Sequence, residues 1–278
     1  MLTRLNGLEF HVEVEGSGPP LLLLLHGFTG SVRSWDEVRS DLVRSARVVV
    51  VDLIGHGLTA SPDDYRRYTL EWTARDLVAL LDALDLETVN VAGYSMGGRV
   101  GLHFATRHPE RVGRLILESA SPGIEDEAER QRRIQSDEAL AGRILERGIQ
   151  AFVEEWERQP LLQPAPHVSA ERRAAQHAQR LNNEPQGLAN SLRGMGAGQQ
   201  VPLWSSLPDV RLPVALIVGE HDARYRDIAW RMLERLPAAA LWNVPDAGHA
   251  VHLDQPRRFA DLVTAVLDNK LTHPTTRC

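Results

Sequence analysis

Three residue types that together perform nucleophilic or base chemistry occur far apart in this chain: a serine, a carboxylate and a histidine. Ser95 lies in Gly93-Tyr94-Ser95-Met96-Gly97, a G-x-S-x-G pattern. A serine hydroxyl is inert near neutral pH unless a histidine accepts its proton, and that histidine needs a carboxylate to fix its tautomer. Because Asp222 and His249 follow Ser95 in that order, the sequence predicts a catalytic triad of Ser95, Asp222 and His249.

The stretch around Ser95 has the pattern of a sharp turn between a buried strand and a helix. An apolar, β-branched run precedes it at residues 88 to 92, and a helical pattern follows at residues 99 to 108. The flanking glycines allow two backbone segments to approach where a Cβ would clash. The pattern predicts a nucleophile elbow that raises the Ser95 hydroxyl above the sheet and directs the Met96 N–H towards an oxyanion.

The two partners of Ser95 each follow a further buried strand. Asp222 comes just after an apolar run at residues 212 to 219, and His249 lies in a glycine-containing loop after a run at 239 to 244. Since ligands bind at the carboxyl ends of strands in open parallel sheets, we expect both side chains to meet Ser95 at that edge.

Other residues compete for two of these roles. Glu220 and Asp246 are the rival carboxylates, but Asp222 is favoured because it lies beyond the strand end and is free to reach inward. His252 is the nearest rival imidazole, although it opens a segment directed into a helix. His56, in a Gly-His-Gly loop, is interpreted as a structural residue.

The elbow and the order of serine, aspartate and histidine resemble the α/β-hydrolase superfamily over most of the chain. In that superfamily a glycine-bearing loop after a central strand supplies a second oxyanion N–H. Here the unbroken apolar run at residues 21 to 25, typical of a strand covered on both faces, ends in His26-Gly27-Phe28-Thr29-Gly30. The resemblance therefore assigns the backbone N–H of Phe28 to the oxyanion hole.

Strand and helix patterns alternate along the first part of the chain. This predicts an α/β fold with a mostly parallel central sheet flanked by helices, and the resemblance implies that it is the α/β-hydrolase fold. After residue 122 charged helical stretches broken by prolines replace the strands and predict an inserted helical cap. We expect core at 1–122, cap at 123–208, core at 209–270 and a frayed tail at 271–278. Further strands are expected at 8–14, 47–52 and 113–119, and helices at 35–44, 69–84, 125–149, 149–157, 224–236 and 255–267.

Composition limits the partners and the location. A formal net charge of −6 gives no general reason to bind nucleic acid or an acidic membrane. The N-terminus lacks the apolar region of a signal peptide, which predicts a cytoplasmic protein without membrane insertion.

The single cysteine, Cys278, allows no intramolecular disulfide. Neither metal-ligand spacing nor a nucleotide fingerprint occurs, so no metal or organic cofactor is expected. We expect a monomer or a small homo-oligomer.

A finer resemblance links the chain to the 2-succinyl-6-hydroxy-2,4-cyclohexadiene-1-carboxylate synthase family of menaquinone biosynthesis. Its cap motifs are more specific than the triad segments, which many esterases share. The matching segments are Gly93-Tyr94-Ser95-Met96-Gly97-Gly98-Arg99, residues 118 to 124, the Phe152–Leu161 stretch with its F-x-x-x-W-x-x-Q-P pattern, Arg180-Leu181-Asn182-Asn183, residues 187 to 189 and 191 to 196, Gly219-Glu220-His221-Asp222 and residues 247 to 252.

The resemblance implies a lyase rather than a hydrolase. The substrate would be a small polycarboxylate, 2-succinyl-5-enolpyruvyl-6-hydroxy-3-cyclohexene-1-carboxylate. Ser95, activated by His249, would remove the proton next to the succinyl ketone, and pyruvate would be expelled without an acyl-enzyme. The N–H groups of Phe28 and Met96 would hold the developing enolate oxygen.

A substrate with three carboxylates also needs fixed cations, and the planar guanidinium of arginine pairs with carboxylates bidentately. Arg99 would lie beside the nucleophile, while the cap would supply further arginines and aromatic hydrogen-bond donors. The sequence does not decide which of Arg130, Arg132 and Arg133 faces the pocket, although Arg133 is favoured. The candidate substrate-binding residues are Tyr94, Arg99, Arg133, Trp156 and Arg180.

Two other functions are compatible with the same triad pattern. A carboxylesterase or a carbon–carbon bond hydrolase would use Ser95 in the same way, but a neutral ester needs no set of arginines. A non-catalytic receptor of this fold would not need the elbow, the oxyanion loop and the triad together. A dehalogenase is disfavoured because that chemistry needs a carboxylate at position 95.

Overall fold

The structure, a computed structural model, describes residues 1–270 and forms an eight-stranded sheet from them. Strands β1 to β8 are Leu2–Leu5, Leu8–Glu15, Leu21–Leu25, Arg47–Val51, Val89–Tyr94, Val112–Glu118, Val214–Gly219 and Ala239–Val244. Their spatial order is β1-β2-β4-β3-β5-β6-β7-β8. The pairs β1–β2 and β2–β4 are antiparallel and the remaining pairs are parallel, which confirms the mostly parallel sheet.

Helices connect these strands and cover the sheet. Helices α1 to α9 are Asp36–Leu42, Leu70–Ala83, Met96–Arg107, Glu127–Trp156, Ala170–Leu181, Pro185–Met195, Ala223–Leu233, Val251–Asp254 and Pro256–Leu267. Short 3₁₀ turns lie at Val32–Trp35, Tyr65–Tyr68, Pro109–Arg111, Pro160–Leu162 and Trp204–Asp209.

Apolar layers cover both faces of the sheet. In β3, Leu23 and Leu25 belong to one buried cluster, and Leu22 and Leu24 belong to the other. Successive side chains of a strand point to opposite faces, so an uninterrupted apolar run is what a strand buried on both sides requires. The first cluster includes side chains of α2, α3 and α7, and the second includes side chains of α1 and α9.

Helices α4, α5 and α6 lie between β6 and β7, in the range where the cap is predicted. Side chains of α4 and α6 form a small apolar cluster of their own. Gly148 interrupts α4 with φ 76° and ψ 173°, torsion angles that glycine adopts more readily than other residues. The break matches the two predicted stretches, 125–149 and 149–157. The proposed domain boundaries stay predictions.

The structure corrects two local expectations. Strand β1 was not predicted, because Leu5 is its one buried residue and no alternation is visible; the strand exists through its pairing with β2. The helix expected at 35–44 is present but shorter, as α1 at Asp36–Leu42, and a 3₁₀ turn capped by Ser31 precedes it.

Two further expectations concern the tail and the membrane. The tail at 271–278, with Cys278, lies outside the described residues. Between residues 1 and 270 the structure contains no helix with the length and apolarity needed to cross a membrane.

Candidate active site

Ser95 lies at the turn between β5 and α3, with backbone torsion angles of φ 51° and ψ −106°. Such angles cost a non-glycine residue free energy and persist only where the surroundings fix them. A Cβ on Gly93 would lie 2.4 Å from the Gly97 oxygen, and a Cβ on Gly97 would lie 2.0 Å from the Leu25 oxygen. Only glycines at these two positions let β5, α3 and β3 come so close.

The structure brings the three predicted triad residues together. The Nε2 atom of His249 lies 3.0 Å from Ser95 Oγ, and its Nδ1 lies 2.6 Å from Asp222 Oδ2. The backbone N–H of Tyr225 donates to Asp222 Oδ1 at 3.2 Å, which fixes the carboxylate. When Nδ1 carries the proton shared with Asp222, Nε2 is free to accept the serine proton. The catalytic use of this relay stays a prediction.

The rival residues are placed elsewhere. Glu220 and Asp246 are exposed, whereas Asp222 is buried. Potential ligand atoms of Glu220, His221 and Asp246 lie within 4.8 Å of one another, and within residues 1–270 this exposed group alone has metal-ligand spacing. His252 is buried and contacts Glu118 rather than Asp222. The expectation of no metal site stays a prediction.

Two buried histidines fix the loop that carries Phe28. The backbone N–H of Leu53 donates to His26 Nε2 at 3.0 Å, so His26 Nδ1 donates to the Gly27 oxygen at 2.8 Å. Burial lowers the pKa of His26 to about 4 and that of His56 to about 3. Both rings are therefore neutral near pH 7, and the His56 ring packs edge-on against Phe28.

The two predicted oxyanion donors lie near Ser95. Met96 is the first residue of α3, so its N–H belongs to the helix start, where no intrahelical acceptor exists. Across the described chain, the Phe28 N–H has no hydrogen-bond partner either. Phe28, Ser95 and Met96 line the same cavity. This placement is compatible with the oxyanion role, which stays a prediction.

The cavity above Ser95 has a volume of about 320 Å³ and lies between the core and α4. His249 and Ser95 line it together with aromatic residues of α4. Its wall also contains four arginines and two carboxylates. The arginines are Arg99, Arg133, Arg143 and Arg224, and the carboxylates are Asp137 and Glu155.

Arg99 is the most unusual of these arginines. Its Nη1 donates to the Met195 oxygen at 2.8 Å, and no carboxylate of residues 1–270 lies within 4.0 Å of its guanidinium. Burial lowers the pKa of Arg99 to about 10, so the side chain remains cationic near neutral pH. Asp137 on the same wall attracts Arg99 only at longer range, and a partly desolvated cation without a direct salt bridge favours an anionic ligand.

The structure distinguishes the three neighbouring arginines of α4. Arg130 binds Glu127 and the Gly198 oxygen, and Arg132 is exposed. Arg133 alone of the three lines the cavity, as favoured from the sequence. Its Nε donates to Asp137 Oδ1 at 2.8 Å.

Arg180 and Tyr94 line a second cavity of about 430 Å³, which does not include Ser95. Arg180 is buried and forms an ion pair with Glu157 at 2.7 Å. Burial, and then the charge of Glu118, raise the pKa of Tyr94 well above its usual value, so its phenol remains protonated. Trp156 lines both cavities.

Trp156 belongs to the partition between the two cavities. Phe28 lies in the same partition, and the two ring centroids are 5.3 Å apart. Tyr94 and Arg180 are thus one aromatic layer away from the cavity of Ser95.

Several residues of the Ser95 cavity were not predicted from the sequence, among them Asp137, Arg143, Arg224 and Tyr225. Helical spacing carried a signal for Asp137 alone, because it follows Arg133 by four residues and so lies on the same face of the helix. The Tyr225 ring packs 4.6 Å from the His249 ring. The sequence signal for Tyr225 was its position three residues after Asp222, in the first turn of α7.

The sequence model of the α/β-hydrolase fold family matches residues 20–256. The chain belongs to the α/β-hydrolase fold family. A structural likeness agrees with this: the structure of MenH from S. aureus superposes with a TM-score of 0.89 at 30% identity, covering 94% of this chain and 98% of that one.

Two curated relatives resemble this α/β-hydrolase over nearly its whole length. A Bacillus subtilis (strain 168) protein, provisionally named 2-succinyl-6-hydroxy-2,4-cyclohexadiene-1-carboxylate synthase, is 40% identical over 96% of this chain and 97% of its own length. A Klebsiella pneumoniae (strain ATCC 700721 / MGH 78578) protein with the same synthase name is 31% identical over 90% of this chain and 94% of its own length.

Proposed function

We propose that this α/β-hydrolase is a 2-succinyl-6-hydroxy-2,4-cyclohexadiene-1-carboxylate synthase, a carbon–oxygen lyase of menaquinone biosynthesis. It would eliminate pyruvate from 2-succinyl-5-enolpyruvyl-6-hydroxy-3-cyclohexene-1-carboxylate. The observation that carries the proposal is a hydrogen-bonded Ser95–His249 pair in the same cavity as Arg99, a half-buried arginine that forms no direct salt bridge within residues 1–270. The synthase name of its near-full-length relatives supports it.

The charges around the cavity suit a substrate with three carboxylates. Arg99 and Arg133 offer guanidinium groups to two of these, because arginine binds a carboxylate through two parallel hydrogen bonds. Tyr94 and Arg180, in the adjoining cavity, and Trp156, in the partition, would contact the part of the substrate that extends past Phe28. Carboxylates therefore select the substrate, and a neutral ester gains nothing from these groups.

The reaction begins with removal of the proton on the carbon next to the succinyl ketone. Ser95 takes this proton while His249 accepts the serine proton, and Asp222 stabilises the resulting imidazolium. The electron pair of the broken C–H bond moves into the enolate, whose oxygen is held by the N–H groups of Phe28 and Met96.

Elimination then follows from the enolate. Its electron pair returns to the ring, shifts the ring double bond and breaks the C–O bond to the enolpyruvyl group. The proton held by His249 passes to the departing enolpyruvate, which becomes pyruvate. Atoms and charge balance without a covalent intermediate on Ser95.

A substrate comparison tests the proposed function. We expect wild-type protein to release pyruvate from the enolpyruvyl substrate far faster than it hydrolyses p-nitrophenyl acetate. The Ser95→Ala variant should lose pyruvate release and still bind the substrate, as measured by calorimetry. Fast ester turnover without pyruvate would instead establish a carboxylesterase, and binding without any turnover in wild type would establish a receptor.

We also propose that the protein acts in the cytoplasm on this small molecule, not on nucleic acid, as a monomer or small homo-oligomer. Sedimentation of the purified protein would measure the oligomeric state, and fractionation of cells would locate the chain.

A further inference from the structure

A second histidine–carboxylate pair lies directly behind the triad. Glu118 and His252 are each 1% exposed. The His252 Nδ1 lies 2.9 Å from both oxygens of the Glu118 carboxylate, and the His252 backbone N–H donates to Oε1 at 2.9 Å. Burial of a carboxylate costs free energy unless it is paired and hydrogen-bonded, and the His252 ring and backbone N–H supply these contacts to Glu118. The proton-transfer steps above do not use either residue.

Glu118 also contacts the elbow through its backbone. It is the last residue of β6 and stands beside Tyr94 in the register of β5 and β6. Its carbonyl oxygen accepts the Ser95 N–H at 2.8 Å. Because Ser95 has φ 51°, the turn needs its polar groups fixed from outside, and Glu118 supplies one such contact.

The other side of Glu118 fixes the segment that carries the catalytic imidazole. His252 follows His249 by three residues, so a carboxylate that holds the backbone and the ring of His252 restrains the whole loop. The Tyr94 ring lies between the two imidazoles, with centroids 5.3 Å from His249 and 4.7 Å from His252. One residue therefore holds the nucleophile turn through its carbonyl and the histidine loop through its carboxylate.

We propose that Glu118, acting through His252, is a positioning residue that sets the distance between Ser95 and His249. This inference rests on the proposed function only in taking Ser95 and His249 as the reacting pair. Proton transfer depends steeply on that distance, and a displacement of about 1 Å at a reacting group costs on the order of 100-fold in rate. Substrate binding, by contrast, would depend on the arginines that line the cavity, and Glu118 is not among the lining residues.

The variant Glu118→Gln tests the proposal. The glutamine side chain has the same shape as glutamate, and the backbone carbonyl at position 118 is unchanged. Its amide nitrogen cannot accept a hydrogen bond, so only one of the two side-chain atoms that now face His252 Nδ1 remains an acceptor. We expect kcat to fall on the order of 10- to 100-fold while KM changes by less than about threefold. A residue that only supports the core would not produce this separation.

Asp76→Asn is the matched control. Asp76 is 2% exposed and accepts hydrogen bonds from Asn6 at 2.9 Å and from Arg67 at 2.6 and 2.8 Å, on α2 and away from the triad. It should lower the thermal midpoint at least as much as Glu118→Gln and leave kcat unchanged. An equal loss of kcat in the two variants, or a changed KM with unchanged kcat in Glu118→Gln, would overturn the proposal.

The assay separates this inference from the proposed function. Each variant is measured on the Ser95-dependent reaction that wild type performs, whether pyruvate release or ester hydrolysis. Wild type without pyruvate release but with a Ser95-dependent esterase activity defeats the proposed function and leaves the positioning test intact. If no activity depends on Ser95, both ideas fail.

A second variant covers the case in which Glu118→Gln does not fold. His252→Asn removes the ring contact and keeps the backbone N–H that donates to Glu118. A lower kcat with unchanged KM in this variant supports the positioning role, and an unchanged kcat overturns it.

Discussion

Arg99, the half-buried cation in the cavity of Ser95, is the residue whose removal should have the most direct effect on the proposed reaction. In Arg99→Gln the side chain loses its charge and its fork of donors, while Ser95, Asp222 and His249 are unchanged. Arg99 forms no direct salt bridge in residues 1–270, and Asp137, which pairs with Arg133, attracts it only at longer range, so a substrate carboxylate would be its first direct ionic partner. The variant should therefore lose substrate recognition and retain the triad.

The magnitude follows from the strength of a charge-assisted hydrogen bond. Such a bond contributes about 1.5–3 kcal/mol net, which corresponds to a decrease of about 10- to 150-fold in kcat/KM for pyruvate release. The lost contact to the Met195 oxygen should lower the free energy of unfolding by about 1 kcal/mol.

The assay compares an anionic and a neutral substrate at limiting concentration. Arg99→Gln should reduce kcat/KM for the enolpyruvyl substrate and leave the rate with p-nitrophenyl acetate within about twofold of wild type. Arg132→Gln, an exposed arginine of α4, is the control and should change neither rate. Equal losses on both substrates, or no loss on the anionic one, would refute the assignment of Arg99 to carboxylate binding.

Three further variants test the elbow, the relay and the buried histidines. Gly97→Ala places a Cβ 2.0 Å from a strand oxygen and should lower the free energy of unfolding by about 1–3 kcal/mol, whereas Gly142→Ala, with no atom within 4 Å, should be neutral or stabilising by urea titration. Asp222→Asn keeps the shape, but with its one oxygen on the Tyr225 N–H it faces His249 Nδ1 with an NH2 group, so kcat should fall on the order of 10,000-fold with an unchanged circular dichroism spectrum; a loss under tenfold would contradict the relay. Burial lowers the pKa of His56 to about 3. As the pH falls below about 6.5, the His56 imidazole is therefore protonated in the unfolded chain but stays neutral in the folded chain. Stability should therefore fall below that pH by up to about 1.4 kcal/mol per pH unit. His56→Gln should show a shallower fall between about pH 7 and about pH 5, and an identical slope would contradict this reading.

Features with short-range causes were predictable from the sequence. The strand β8 has the predicted bounds, and β3, β4 and β5 lie where their apolar runs predicted them, because a strand covered on both faces must be apolar throughout. The elbow followed from glycines whose missing side chains make room for the backbone. The order of triad residues along the chain indicated their meeting at one sheet edge.

Features that depend on long-range contacts were not predictable in the same way. Strand β1 has a single buried residue and is held by its pairing with β2. The contact of Glu118 with His252 joins residues 134 positions apart, and no local pattern announces it. The separation of Arg180 and Tyr94 from the Ser95 cavity depends on how the aromatic rings of Phe28 and Trp156 pack together.

The central claim is that Ser95 and His249 remove the proton next to the succinyl ketone of an anionic substrate. Its most direct test is pyruvate release in a single turnover from substrate carrying deuterium at that carbon, compared with ordinary substrate. The account predicts slower pyruvate release from the deuterated substrate, and no mass added to the protein during turnover. Equal rates together with an acyl group on Ser95 would contradict it.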